Sequence, residues 1–379
     1  MVVYFDNAAT SYPKPSSVYD AINFTLKHAG ANPGRAENTF SHFASKIVFD
    51  ARETIAKFFN IPDSKNIIFT SNGTEALNLA LKGILKPGDH VITSSMEHNA
   101  IVRPLNSLKK NGIKETIIQC DKLGKLNFNI VKKEIKKNTS LIVMTHASNV
   151  TGTIFPIDEV GELASKNGIP FLVDAAQTAG SVPIDVTKSK ISLLASPGHK
   201  GLFGPQGTGF LYIDDDLDLK PLIEGGTGSN SELSEQPEFM PDRHQSGTLN
   251  TPGIAGLKAG IEFIFKESIL GIKKKEDLLV EAFLNGLKEI RNVHIYGPLL
   301  TKDKTAVVSF NVEGKDPGQI ANDLDHKFHI MVRVGLHCSP NAHKTIGTFP
   351  EGAIRVSFSI FNTLQEINYF IDSLKKIAT

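Results

Sequence analysis

Lys200 lies in the run Ser196-Pro-Gly-His-Lys-Gly-Leu-Phe-Gly-Pro-Gln-Gly-Thr-Gly209, directly after the apolar stretch ISLLAS and beside His199. Glycines there let backbone approach a bulky planar ligand. A lysine in such a place can be desolvated, and a depressed pKa makes its amine a nucleophile toward an aldehyde. The same Lys-Gly pair in isolation also fits a solvated turn. Upstream, IPFLVDAAQ ends an apolar run with Asp174, followed by Gln177. A carboxylate at the carboxyl end of a strand can keep a pyridinium nitrogen protonated and so make a cofactor ring an electron sink. Gln177 can reach the phenolic oxygen of that ring. Asp174 equally fits the cap of the next helix.

Further candidates surround this pair. Phe69-Thr-Ser-Asn-Gly-Thr-Glu75 runs into the helical pattern ALNLALKG. Free amides at a helix start, with the Thr74 hydroxyl, form an anion site suited to phosphate, although ordinary capping uses the same residues. His98, in Met96-Glu-His-Asn-Ala100, can stack on an aromatic ring or simply be exposed. Cys338 lies in Arg333-Val-Gly-Leu-His-Cys-Ser339, flanked by His337 and near Arg333. That setting suits a reactive thiolate, and a buried, inert cysteine is the alternative. Cys120, in IIQCDKLGK, has no such neighbours and reads as bland. Arg355 interrupts the apolar strand AIRVSFS; burying it requires an anion, and a substrate carboxylate matches its planar fork.

The elements that must position these residues alternate. NIIFT (66–70), HVITS (90–94), ETIIQ (115–119), SLIVMTH (140–146), IPFLVDA (169–175), ISLLAS (191–196) and TGFLYI (208–213) read as strands, with amphipathic stretches at 74–85, 98–111, 127–138 and 158–167 between them. This predicts an α/β fold with one seven-stranded, mostly parallel sheet covered on both faces, its ligands beyond the carboxyl ends of the strands. Segments 16–29 and 43–59 read as helices that precede the sheet. Past Gly253 a long helical region leads to VHIYG, TAVVSFNV, HIMVRVG and AIRVSFS, a smaller C-terminal α+β unit. The expected division is a large domain over 15–255 and a small one from 1–14 and 256–379. Thr363 and Glu366 form a capping box at the last helix. The polar stretch 214–246 reads as a long loop at an active site or subunit border.

Composition narrows the function classes. At 379 residues the chain can hold two or three core-bearing units of about 150 residues. Lys+Arg 41 against Asp+Glu 40 leaves +1 without a long basic block, which argues against nucleic acid or anionic lipid as partners. The start Met1-Val-Val-Tyr-Phe-Asp-Asn7 is unlike a signal peptide, and no apolar run approaches spanning length, so a soluble cytoplasmic protein is expected. Two cysteines without CxxC spacing support neither a disulfide framework nor a zinc site, and no metal is expected.

Together the motifs resemble one family, the cysteine desulfurases and selenocysteine lyases, within the class V aminotransferase group of fold-type-I pyridoxal phosphate enzymes. The likeness runs from YFDNAAT (4–10) through FTSNGTEALNLAL (69–81), MEHNAIV (96–102), HASNVTG (146–152), VDAAQTAG (173–180), PGHKGLFGPQGTG (197–209) and SGTLNTPG (246–253) to RVGLHCS (333–339) and IRVSFSIFNT (354–363). It implies pyridoxal 5'-phosphate as cofactor, Lys200 as the Schiff-base lysine, Asp174 at the pyridine nitrogen and Gln177 at the phenolic oxygen. It makes His98 the ring-stacking, proton-handling histidine and places Asn149 beside cofactor and substrate. Gly73, Thr74 and His199 match the phosphate site, and Thr248 matches a phosphate contact from a neighbouring subunit, which implies a homodimer. Arg355, with Arg333 in the same loop as Cys338, matches substrate-carboxylate recognition, and Cys338 matches the sulfur-accepting nucleophile. Three positions depart from the family pattern: Pro197 replaces a common Ser or Thr, so a phosphate hydroxyl is expected to be absent, Gly73 replaces Ala or Thr, and Leu336 replaces a histidine seen in some relatives. The short spacing from Cys338 to Arg355 resembles the subgroup with an ordered cysteine loop.

The resemblance implies conversion of L-cysteine to L-alanine with a persulfide left on Cys338, Lys200 and His98 carrying protons, and sulfur passing to an acceptor thiol or protein. Selenocysteine lyase activity is the nearest alternative. Another class V aminotransferase-type reaction, or a non-catalytic scaffold that keeps the fold, stands further off.

Overall fold

The computed structural model describes residues 1–34 and 38–378. In chain order its elements are β1 (Val3–Tyr4), α1 (Ser16–His28), α2 (Thr39–Phe59), β2 (Ile67–Thr70), α3 (Gly73–Ile84), β3 (His90–Ser94), α4 (Asn99–Lys109), β4 (Lys114–Ile118), α5 (Phe128–Glu134), β5 (Thr139–Thr145), α6 (Ile157–Lys166), β6 (Phe171–Asp174), β7 (Leu193–Pro197) and β8 (Gly209–Ile213). They continue with α7 (Thr251–Glu267), α8 (Ile269–Lys288), β9 (Val293–Tyr296), β10 (Val307–Val312), α9 (Pro317–Phe328), β11 (Ile330–Met331), β12 (Arg333–Gly335), α10 (Pro340–Ile346), β13 (Ala353–Ser357) and α11 (Leu364–Ala378).

The seven strands expected from 66 to 213 form one sheet in the order β2-β8-β7-β6-β5-β3-β4. Only β8 runs against its neighbours, pairing antiparallel with β2 and β7. The strands read as nearly unbroken apolar runs because both faces are covered. Ile92, Ile142, Val173, Leu194 and Phe210 pack on one side with α2, α6 and α7. Val91, Val143, Leu172, Leu193 and Leu211 pack on the other with α3 and α4. Since β2, β3, β5, β6 and β7 share one direction, their carboxyl ends, and the loops bearing Thr74, His98, Asn149, Asp174 and Lys200, gather along one edge.

The C-terminal part holds a four-stranded antiparallel sheet, β12-β13-β10-β9. HIMVRVG, expected as one strand, divides at Val332: β11 pairs in parallel with β1, whereas β12 pairs with β13. Two different partners on the two sides of Val332 force the break. Val3 and Phe5 pack among apolar residues of α8, β10, β13 and α11. Helix α7 runs unbroken through positions 255 and 256, and its Ile254, Leu257, Ile261 and Ile264 lie in the core of the large sheet. Ser268, at a left-handed φ of 63°, then separates it from α8. The capping box forms as expected, with Thr363 N–H donating to Glu366 at 2.8 Å and Glu366 N–H to Thr363 Oγ1 at 3.2 Å. The stretch 214–246 is irregular apart from a short turn of 3-10 helix at Asp242–His244. Among the described residues no helix is long and apolar enough to cross a membrane.

Lys304 is fully buried at the junction of the two sheets, where it bridges to Thr153. Among the described residues its amine donates only to the Pro298 carbonyl, at 3.0 Å, and desolvation pushes its pKa down to about 7. The unfolded chain therefore binds a proton that the folded chain lacks between about pH 7 and the ordinary lysine pKa, and stability contributed here rises with pH across that window. We expect Lys304→Met to raise stability at pH 7 by about 1–3 kcal/mol, the usual penalty of an undercompensated buried polar group, and by less at pH 10. Denaturant melts at the two pH values check this.

Candidate active site

Beyond the carboxyl edge of the large sheet lies a cavity of about 190 Å³ whose lining includes Thr74, His98, Asn149, Asp174, Gln177 and Lys200. The sheet explains the convergence. Asp174 is the last residue of β6, Lys200 follows β7 by three residues, His98 caps α4 after β3, and Thr74 is the second residue of α3 after β2. Asn149 follows β5.

Lys200 is partly exposed as a residue while its amine is desolvated by its surroundings, and among the described residues the amine makes no hydrogen bond. Desolvation pushes its pKa down to about 8; Arg355 pushes the same way and Asp174 opposes both. Asp174 is 4 % exposed and burial raises its pKa. One of its oxygens accepts from Ala176 N–H at 2.9 Å, so the helix-cap reading of the sequence is realised, and the carboxylate still lines the cavity with its other oxygen uncommitted. Next to it sits an acid that sequence reasoning passed over. Glu97 is fully buried, accepts from Ser94 Oγ and from Thr145 N–H at 2.9 Å, and is pushed up to about 8 by burial, with the Asp174 charge adding. Burial thus favours the neutral form of Glu97, which removes a second negative charge from beside Asp174. Its position between Met96 and His98 carried no signal, because nothing local announces that a strand-end acid turns inward.

His98 Nδ1 accepts from Ala100 N–H at 3.0 Å. A neutral ring with that bond carries its proton on Nε2. Burial, aided by Lys200, Arg355 and Arg103, lowers its pKa to about 4 and keeps the ring neutral. His98 is therefore a flat ring with an Nε2–H donor; receiving a proton at Nε2 requires giving up the cap bond. Gln177 donates to the Ala8 carbonyl at 3.2 Å, which ties its amide to the N-terminal segment and leaves one N–H and its oxygen for a ligand.

At the other end of the cavity, Asn72 caps α3 by accepting from Glu75 N–H, and the Gly73 and Thr74 amides have no intrahelical acceptor. His199 lines the same space with Nδ1 buried and, among the described residues, unpartnered. Two family departures turn out to be one feature. A Cβ on Gly73 would stand 3.0 Å from Pro197 Cδ and 3.2 Å from its nitrogen, so proline at 197 fits against glycine at 73. Ser196 does not replace the missing hydroxyl, for it is fully buried and donates to the Pro197 carbonyl.

The cysteine loop closes over the site. His337 and Cys338 are consecutive non-glycine residues in the left-handed region, φ 49° and 58°, a costly backbone that the surroundings must hold. Asn149 does so: its amide donates to the His337 carbonyl at 2.7 Å and accepts from Ser339 Oγ at 2.7 Å. His337 Nδ1 lies 3.2 Å from His343 Nε2, and His343 Nδ1 lies 2.7 Å from Thr348 Oγ1. Thus His337, with Leu336 before it, pairs with a histidine six residues downstream. Cys338 is exposed, and its carbonyl accepts from Asn99 N–H at 2.8 Å, next to His98.

Arg355 is buried, and the anion it requires is supplied from within the chain. Its Nη2 donates to Asp6 at 2.8 Å and its Nη1 to the Asn149 carbonyl at 3.1 Å, while Nε is buried without a partner among the described residues. Arg333 stands opposite Arg355 in the β12–β13 pair, half-exposed and 3.8 Å from the other Asp6 oxygen, so Asp6 separates two like charges. Asp6 lay within the YFDNAAT motif, yet nothing adjacent in sequence pointed to its partners. Thr248 is exposed and does not line this cavity. Among the described residues no cluster of three or more His, Cys, Asp or Glu side chains could hold a metal ion.

A buried amine, a buried carboxylate, a flat neutral imidazole, free helix-start amides and an orphaned His199 Nδ1 fit an aldehyde-bearing pyridine ring with a phosphate arm. The contact between Gly73 and Pro197 is testable: Gly73→Ala should cost about 1–3 kcal/mol, the usual cost of overpacking, and Gly73→Ala with Pro197→Ser should recover most of it. A double-mutant cycle in denaturant measures the coupling.

The pattern of the family described as Aminotransferase class-V matches residues 3–370. A probable cysteine desulfurase of Pyrococcus abyssi is 38% identical over 387 aligned positions, covering 100% of this chain and 94% of that protein. The cysteine desulfurase IscS of Dictyoglomus turgidum is 32% identical, covering 99% and 94%. In three dimensions, the apo structure of a cysteine desulfurase from Thermococcus onnurineus superposes with a TM-score of 0.94 at 35% identity, covering 100% of this chain and 94% of that one. With the match spanning both sheets and every loop that lines the cavity, the chain belongs to the class V aminotransferase family, among its cysteine desulfurases.

Proposed function

We propose that the chain takes sulfur from L-cysteine with pyridoxal phosphate as cofactor, releases L-alanine and leaves a persulfide on Cys338. The observation that carries this reading is spatial: Lys200 and Asp174 share one buried cavity with His98, and Cys338 stands beside His98 at its mouth. Bound there, the cofactor supplies the electron sink that acidifies the substrate's α-carbon.

The chain's own groups do the rest. The amine of Lys200 would hold the aldehyde and, as a free amine, would carry the substrate's α-proton on Nζ. Asp174 would keep the ring nitrogen protonated through its second oxygen. His98 would lie against the ring and offer the Nε2–H, Gln177 would present its remaining N–H to the phenolic oxygen, and Gly73, Thr74 and His199 would hold the phosphate. Arg355, oriented by Asp6 and Asn149, is the residue for the substrate carboxylate, with Arg333 nearby. The Cys338 thiolate attacks the substrate sulfur; the S–S bond forms as the carbon–sulfur bond breaks, and the carbon fragment keeps the electron pair and takes a proton.

The exposed Thr248 fits a phosphate contact in a second copy, so the reading includes a homodimer. It also includes two units, with the division proposed near Ser268, where α7 ends, rather than at 255. A reducing compartment such as the cytoplasm suits the free thiols Cys120 and Cys338.

Alanine release from cysteine and from selenocysteine, assayed in parallel, tests the reading. Cys338→Ala should lower cysteine turnover at least about 100-fold, and retained cysteine turnover would overturn the role of Cys338. Selenocysteine cleavage that survives in this variant, and exceeds cysteine turnover in the unmodified protein, would assign the chain to selenium instead. Borohydride trapping of the cofactor followed by peptide mapping should label Lys200. Because neutral amine is the reacting form and its pKa lies at about 8, trapping should rise from pH 6 and level off above pH 9.

A further inference from the structure

Cys338 also opens onto a second cavity, outside the one that holds Lys200. Thr74, Asn78 and Lys82 recur every four residues on α3, and Asn99, Arg103 and Ser107 do so on α4; together they line a groove of about 340 Å³ that ends at Cys338. A four-residue repeat places each set along one face of its helix. Eight residues of helix span about 12 Å, the reach of three or four residues of extended peptide. Asn99 N–H, bonded to the Cys338 carbonyl, pins the cysteine to the head of this groove.

The charge of the groove is one-sided. Lys82 and Arg103 are exposed, no acid lines the groove, and neither cation has a hydrogen bond or ion pair among the described residues. Elsewhere on α4 the pattern differs, since Lys109 is bound to Glu115 at 2.6 Å. Two unpaired cations facing a polar trough attract an anion, and the trough begins at the atom that would carry the sulfur.

We propose that this groove receives a cysteine borne on an acidic peptide segment and delivers the sulfur of Cys338 to it, an inference that rests on the persulfide reading above. The acceptor thiolate attacks the outer sulfur of the persulfide. A new S–S bond forms on the acceptor, the bond to Cys338 sulfur breaks, and Cys338 leaves as thiolate; sulfur, protons and charge balance with no further oxidant. The carboxylates after the acceptor cysteine lie along Arg103 and Lys82.

The test uses enzyme loaded by a single turnover of cysteine, freed of substrate and mixed with acetyl-Gly-Cys-Glu-Glu-Gly-amide or the same peptide with Gln-Gln or Lys-Lys at the two acidic positions. Sulfur transfer is followed by mass spectrometry. The Glu peptide should react about tenfold faster than the Gln peptide at low ionic strength, with the advantage shrinking in salt. K82E/R103E should reverse the order in favour of the Lys peptide, and K82Q/R103Q should erase it, each transfer rate being taken per mole of Cys338 persulfide found by mass spectrometry before the peptide is added. Equal rates for the Glu and Gln peptides on the unmodified enzyme, or a preference that survives K82E/R103E, would overturn the groove assignment. Absence of the alanine burst in the unmodified enzyme is a different result: it would overturn the persulfide reading itself.

Discussion

The structure turns on one costly arrangement, a lysine amine and an aspartate carboxylate held together in a pocket shielded from water. Burial disfavours the charge on each, and each partly restores the other: Asp174 raises the Lys200 pKa that desolvation lowers, and Lys200 lowers the Asp174 pKa that desolvation raises. Apart from Arg355, a cation that favours the neutral amine, the surroundings preserve this balance. Glu97, buried a few residues before α4, is pushed toward its neutral form, and His98 is kept neutral by burial and by three nearby cations. A pocket full of titratable groups thus keeps few charges, in keeping with sites whose pKa values are tuned by environment.

That balance depends on a seam between two sheets. Asn149, from the large sheet, grips the backbone of His337 and the hydroxyl of Ser339 and accepts from Arg355 through its carbonyl. Arg355 in turn is fastened to Asp6, which belongs to the N-terminal segment whose first strand pairs with β11. The loop bearing Cys338 is therefore fixed from three directions, which explains how two successive left-handed residues are maintained. Arg355 is oriented before any substrate arrives. Its opposite number, Arg333, stays half-exposed and is shared through Asp6, so the two arginines can stand across a strand pair without an unscreened repulsion.

The large sheet was legible in detail because its signal is local. Runs such as HVITS and SLIVMTH are short, apolar and bounded by polar turns, and an alternation of strand and helix leaves a parallel sheet as the economical solution. The site residues were legible for a related reason: they sit in the loops after those strands, and strand direction alone brings Thr74, His98, Asn149, Asp174 and Lys200 to one edge. HIMVRVG reads as one strand because its composition is uniform, yet each half meets a different partner. Arg355 reads as awaiting a substrate anion because the protein's own anion, Asp6, is nearly the whole chain away. Pro197 and Gly73 read as separate departures from a family pattern because only packing shows that they touch.

What the amino-acid order determined by itself is therefore the set of chemical groups and the elements that carry them, since periodicity, capping and glycine placement act within a few residues. Tertiary structure alone decided which carboxylate answers which cation, which acid stays neutral, how the cysteine loop is held and which groove Cys338 faces. Those outcomes depend on desolvation and on contacts between residues such as Asp6 and Arg355, or Asn149 and Ser339. Neither quantity exists until the chain has closed on itself.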